Sequence, residues 1–128
     1  TELYWGQRPL ENAHWAGAID NVGGDMLAGL SRVIKPYGNV AICGNAGGIE
    51  LHTTVMPFII RGVSLLGVAS GGTARAIRER IWTQLSGDWK PIHLDRIASR
   101  DVALDEVPGV FAKMLEGGSL GRTVVRVA

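Results

Sequence analysis

The chain has 128 residues, enough for one domain whose folding buries about two-thirds of the unfolded surface. With 46% hydrophobic and 20% charged residues it is neither disordered nor fibrous in composition. Thirteen basic against twelve acidic residues, a net charge of +1, supply no clustered charge for nucleic acid and no acidic tail.

No run of eighteen apolar residues occurs, and TELYWGQRPL lacks the basic and apolar blocks of a secretory signal, so no membrane span and a cytoplasmic location are expected. The single cysteine, Cys43, excludes an internal disulfide and a thiolate metal site. Its neighbours Val40, Ala41 and Ile42 predict a buried thiol.

In chain order, Trp15 to Val22 is small and apolar until Asp20 and reads as a short buried strand. Asp25 is the expected N-cap of a helix carrying Met26, Leu27, Leu30, Val33 and Ile34 on one face. Pro36 and Gly38 stop that helix near Lys35. Asn39 to Cys43 is too short for a helix and bounded by glycines, which predicts a buried strand. Thr53 or Thr54 is expected to cap a short helix through Met56, Phe58, Ile59 and Ile60, with Pro57 tolerated in the first turn.

Val63 to Ala69 is a further strand. A long helix from Thr73 places Ile77, Ile81 and Leu85 four residues apart, with Arg75, Arg78, Glu79 and Arg80 toward water and Gly87 at its end. A strand is expected around Ile97 to Leu104. Asp105 then caps a last helix with a stripe of Val107, Val110, Phe111, Met114 and Leu115, closed by Gly117 and Gly118. Thr123 to Val127 is the terminal strand. Alternation of strand and helix predicts an α/β fold, a partial Rossmann-like parallel sheet flanked by helices.

Ligands of open parallel sheets bind outside the carboxyl ends of the strands. Three predicted strands end in turns of that kind: Asp20-Asn21-Val22-Gly23, Gly44-Asn45-Ala46-Gly47-Gly48 and Ala69-Ser70-Gly71-Gly72. Each joins a hydrogen-bonding side chain to glycines, which either let a ligand approach or make tight turns between elements. A G-x-G-x-x-G turn followed by an acidic residue about 20 positions on occurs nowhere in the chain. His14, His52 and His93 share no ligand spacing, so no metal site is expected. No catalytic residue can be named, and neither a nucleophile elbow nor a Ser-His-Asp order is present. Arg75, Arg78 and Arg80 form a solvated helix face or, alternatively, a contact for a coenzyme A phosphate.

The blocks WAGAIDNVG, GNVAICGNAGGIELHTTVMPFIIRGVSLLGV and FAKMLEGGSLGRTVVRV together resemble the C-terminal part of zinc-free quinone oxidoreductases and acryloyl-CoA reductases, a branch of the medium-chain dehydrogenase/reductase superfamily. The resemblance covers essentially the whole chain, and the segment from Thr53 to Ile59 is its most specific part. It implies a fragment of an enzyme that transfers hydride from NADPH to the β-carbon of an enoyl thioester or enone, inactive by itself. It implies that Gly44, Asn45, Ala46 and Gly47 lie along the cofactor near its nicotinamide end. Val68, Ala69 and Ser70 line the same end, while Asn21 and Val22 lie farther along.

Residues 1–87 then correspond to the C-terminal half of a nucleotide-binding domain, and 88–128 to a segment that packs back toward a catalytic domain. The strand from Val63 to Val68 matches the one that pairs across a two-fold axis, which implies a homodimer. The strand and glycine-rich turn that open the family's nucleotide domain have no counterpart here. Two other readings remain at this point: a free-standing dimerisation or ligand-binding module, and an unrelated Rossmann-like enzyme such as a methyltransferase.

Overall fold

In the computed structural model, residues 5–98 and 100–127 are described. They fall into two compact units that meet in sequence at Thr73 and Ala74. The first carries β1 (Trp15–Asp20), α1 (Gly24–Val33), β2 (Ile34–Ile42), α2 (Met56–Arg61) and β3 (Ser64–Gly67), followed by a single 3-10 turn (Ser70–Gly72). Its strands form one sheet in the order β1-β2-β3, with both pairings parallel. The α/β class and the parallel arrangement expected from alternation are therefore present.

Helix α1 forms because Leu27, Leu30 and Val33 recur at helical spacing, and all three are buried. They pack with Ile34, Val40 and Val63, while Ala18, Ile42, Phe58 and Leu65 close the cluster. Each such side chain contributes about 1.5–3 kcal/mol when fully buried. The N-cap expectation needs correction, since Gly23 is the cap and Asp25 lies in the first turn without a capping bond. Asp20 instead closes the turn ahead of the helix, its carboxylate accepting the amide of Gly23 at 2.9 Å and that of Val22 at 3.4 Å, while α1 itself has no side-chain cap.

The second strand is longer than expected but irregular. Trp15 pairs with Ile34 and Gly17 with Asn39, so two steps along β1 match five along β2. The excess is a bulge through Pro36, Tyr37 and Gly38, with Tyr37 at a φ of 62°. Neither Thr53 nor Thr54 caps α2, whose N-cap is Val55. Thr54 accepts the amide of Met56 at 3.3 Å, and Thr53 shares a hydrogen bond of 3.1 Å with the buried Ser31 of α1. Pro57 sits in the first turn as expected.

The second unit holds α3 (Arg75–Ser86), α4 (Leu94–Ile97), β4 (Arg100–Ala103), a 3-10 turn (Leu104–Glu106), α5 (Val107–Leu115) and β5 (Thr123–Arg126). Strands β4 and β5 pair parallel in a sheet of their own. Glu106, not Asp105, supplies the turn's side-chain bond, accepting the amide of Ala103 at 2.7 Å. Gly117, at a φ of 71°, and Gly118 return their amides to Met114 and Lys113 and close α5 as expected. Of the apolar stripe of α5 only Val110 is buried, and no residue of α3 is. Among the described residues, no helix is long and apolar enough to cross a membrane.

Candidate functional site at the strand ends

Parallel pairing sets Asp20, Ile42 and Gly67 abreast at the carboxyl ends of β1, β2 and β3. The turns beginning at Asn21, Cys43 and Val68 consequently leave the sheet side by side along one rim. Such a rim collects the outgoing backbone of every strand, and that is why open parallel sheets take ligands there. The three turns read from the sequence do share this rim.

The first two turns are joined by backbone bonds. The Cys43 amide reaches the Asp20 oxygen at 2.8 Å, the Ala46 amide reaches Asn21 at 3.4 Å, and the Gly47 amide reaches Val22 at 2.7 Å. Gly23 and Gly48 add an isolated parallel bridge. These bonds explain the glycines. A Cβ on Gly44 would lie 2.5 Å from the Asn21 carbonyl oxygen, and one on Gly23 would lie 2.5 Å from that of Gly48. Glycine is needed here so that two turns can touch, which is the tight-turn alternative of the sequence reading.

The third turn is built differently. Val68 still donates to Ile42 at 2.9 Å, the Ser70 amide turns back to Val68 at 2.9 Å, and Ala69 accepts from Gly72 and from the Thr73 hydroxyl. Thr73 therefore holds this turn and does not cap α3, whose N-cap is Ala74.

Asn21, Asn45 and Ser70 are exposed, and among the described residues their side chains have no hydrogen-bond partner. Ala46, Gly47, Val68 and Ala69 are exposed as well, with Val22 and Gly44 partly covered. Two carboxamides and a hydroxyl thus line one rim with their hydrogen-bonding capacity unspent, which suits a long polar ligand such as a dinucleotide.

The expectation of a buried thiol fails: Cys43 is exposed, because it lies one residue past β2, where the chain leaves the sheet. Its thiol points to the Asp20 carbonyl at 3.4 Å. Beside β1 lies a cavity of about 300 Å³ lined by Trp5, Trp15, Asn21, Met26 and Leu30 among others. Sequence reasoning missed it, since Trp5 precedes any recognisable element. No group of three or more His, Cys, Asp or Glu able to hold a metal occurs among the described residues.

No family model matches the chain. Over 120 residues it is 42% identical to the putative quinone oxidoreductase YhfP of Bacillus subtilis (strain 168), covering 94% of this chain and 36% of that protein. It is equally identical, 42% over 123 residues, to the acrylyl-CoA reductase AcuI of Ruegeria pomeroyi, with the same coverage of 94% and 36%. The crystal structure of Escherichia coli K-12 YhdH with bound NADPH superposes with a TM-score of 0.83 at 41% identity, covering 97% of this chain and 38% of that one.

The chain is thus homologous, over nearly its whole length, to part of proteins named quinone oxidoreductase and acrylyl-CoA reductase, as the sequence blocks implied. It spans a little over a third of the relatives it matches.

Proposed function

We propose that this chain is the strand-end portion of an NADPH-dependent oxidoreductase that reduces an enoyl thioester or an enone, with no turnover by itself. The observation that carries the reading is the single rim on which Asn21, Asn45 and Ser70 stand unpartnered beside the aligned ends Asp20, Ile42 and Gly67. Asn21 and Val22 contact one part of the cofactor. Gly44, Asn45, Ala46, Gly47, Val68, Ala69 and Ser70 follow it toward the nicotinamide. Bound NADPH supplies a hydride, and the chain's own contribution is to hold and orient that cofactor.

In this reading residues 1–87 are the C-terminal half of a nucleotide-binding domain and 88–128 a segment that packs toward a catalytic domain. The apolar face of α5 supports the second of these assignments, since Phe111 and Met114 remain more than half exposed. The same reading gives a cytoplasmic enzyme that dimerises through β3. Among the described residues that edge pairs only with β2, and Leu66 is 48% exposed on it.

NADPH fluorescence titration tests the proposal. The isolated chain binds weakly or not at all, because it lacks a pyrophosphate-holding turn, whereas a fusion to the part of Escherichia coli YhdH that it does not match binds tightly. Micromolar binding by the isolated chain, or none by a folded fusion, contradicts it.

A further inference from the structure

The turn after β2 is fastened at its start to the turn after β1, but its return toward α2 is held differently. A Cβ on Gly24, the first residue of α1, would lie 2.9 Å from the Gly47 carbonyl oxygen, so the turn begins its return against the start of that helix. From Glu50 to Thr54 no backbone hydrogen bond forms among the described residues. Glu50 pairs with His52 at 3.0 Å and Thr54 accepts the Met56 amide at 3.3 Å, both local contacts. The bond of 3.1 Å between Thr53 and Ser31 is the polar link, among the described residues, that ties this stretch to a distant element.

Two physical arguments single out this bond. Gly24 and Ser31 stand about 10 Å apart along α1, whereas the chain from Gly48 to Thr53 reaches about 17 Å when extended. The return arm is therefore slack, and Ile49, Glu50 and His52 stand exposed on it. The Ser31 hydroxyl, in turn, has no use inside α1. Ser31 is fully buried beside Leu27, Leu30 and Val33 of the same helix, where alanine would fill nearly the same space and favour the helix more. Its proton goes to the Ala28 carbonyl at 2.7 Å, since a carbonyl can only accept. Thr53 is then the donor to Ser31, and the buried oxygen is satisfied by the proton that fixes the arm.

The geometry points to Ser31 and Thr53 as a positioning pair for the cofactor: Thr53, hung on the buried hydroxyl of Ser31, takes up the slack behind Gly48 and so fixes where Asn45 and Gly47 stand on the rim. Neither residue stands on the rim itself; both act through the turn. The inference rests on the proposed function and adds that part of the cofactor's affinity is set inside α1, about two helical turns from the rim. Without the bond the arm gains freedom, and binding must then order it.

The test uses Thr53→Val, Ser31→Ala, the two combined, and Thr53→Ser. In the fusion to the unmatched part of Escherichia coli YhdH, fluorescence titration gives an NADPH Kd raised about three- to tenfold in Thr53→Val and in Ser31→Ala. The combined variant shows no further rise, because the two share one bond, and Thr53→Ser stays near the parent. In the isolated chain, the Gly47 amide exchanges with deuterium faster in Thr53→Val, while the amides of β2 keep the parent's rate. Unchanged NADPH affinity in both single variants, beside a parent fusion that binds, overturns the inference and leaves the proposed function standing. Additive losses, no recovery in Thr53→Ser, or β2 amides that speed up together with Gly47 overturn it too, since the two residues then act separately or on folding alone. A variant that no longer folds counts the same way. A parent fusion that folds and binds no NADPH brings down the proposed function, and the inference with it.

Discussion

The amide of Gly47 donates to the carbonyl oxygen of Val22 at 2.7 Å, fastening the turn after β2 to the turn after β1. Rigidity of the rim depends on this fastening, and so does the spacing of Asn21 from Asn45. Gly44→Ala is predicted to lower stability by about 1–3 kcal/mol, because its methyl group would strike the Asn21 carbonyl. Urea unfolding of the isolated chain measures this, and an unchanged midpoint would show that the turns separate easily.

Arg61 ties the other end of the first unit. Its guanidinium donates to the carbonyls of Arg32 at 2.8 Å and Ile34 at 3.1 Å, and also to that of Glu11. A cation is well placed there, since the last carbonyls of α1 carry the negative end of its dipole. Arg61→Ala removes all three hydrogen bonds and should cost about 2 kcal/mol, while Arg61→Lys recovers part of that. Equal unfolding midpoints for the three proteins would contradict this role.

Glu11 gives a pH signature. Its carboxylate receives the Arg8 side chain at 2.6 and 3.0 Å, together with the amides of Arg8 and Gln7. The Arg8 side-chain bonds first, then the Arg8 amide, hold its pKa at about 2, well below the ordinary 4.5. The folded pKa is depressed, so this stabilisation is present above about pH 4.5 and is lost as pH falls through about 2. An NMR titration should find the Glu11 carboxyl near 2 and return it toward the ordinary range in Arg8→Ala; no difference between the two proteins would count against the pairing.

Much of this was legible in the sequence, and the failures share a cause. Strand ends were readable because Asp20, Cys43 and Ser70 each mark a change from apolar run to glycine and polar residues, and the parallel order followed from alternation with helices. Caps were misassigned at Asp25, Thr53 and Asp105 because local spacing favours the nearest polar residue. The bonds that form are set by tertiary placement: Asp20 reaches across its turn to Gly23, and Thr53 turns to Ser31. Cys43 was misjudged because an apolar run does not reveal where a strand leaves the sheet. The glycines were the subtlest case, since composition cannot separate a glycine pressed against another turn from one facing open space.

Dimerisation offers a further test. If the open edge of β3 pairs with its counterpart in a second copy, sedimentation equilibrium gives a dimer, and Leu66→Lys shifts it toward monomer. A strict monomer at high concentration removes the edge from the account.

The central claim is that the cofactor lies along the rim formed by β1, β2 and β3, and Cys43 stands on that rim as an exposed thiol. Its alkylation rate in the fusion protein, followed by mass spectrometry with and without NADPH, is the most direct measurement. The account predicts that saturating NADPH slows alkylation of Cys43 about tenfold or more, as expected for a contact that excludes reagent from all but the unbound fraction. Full reactivity of Cys43 while fluorescence reports bound NADPH would place the cofactor elsewhere and contradict the account.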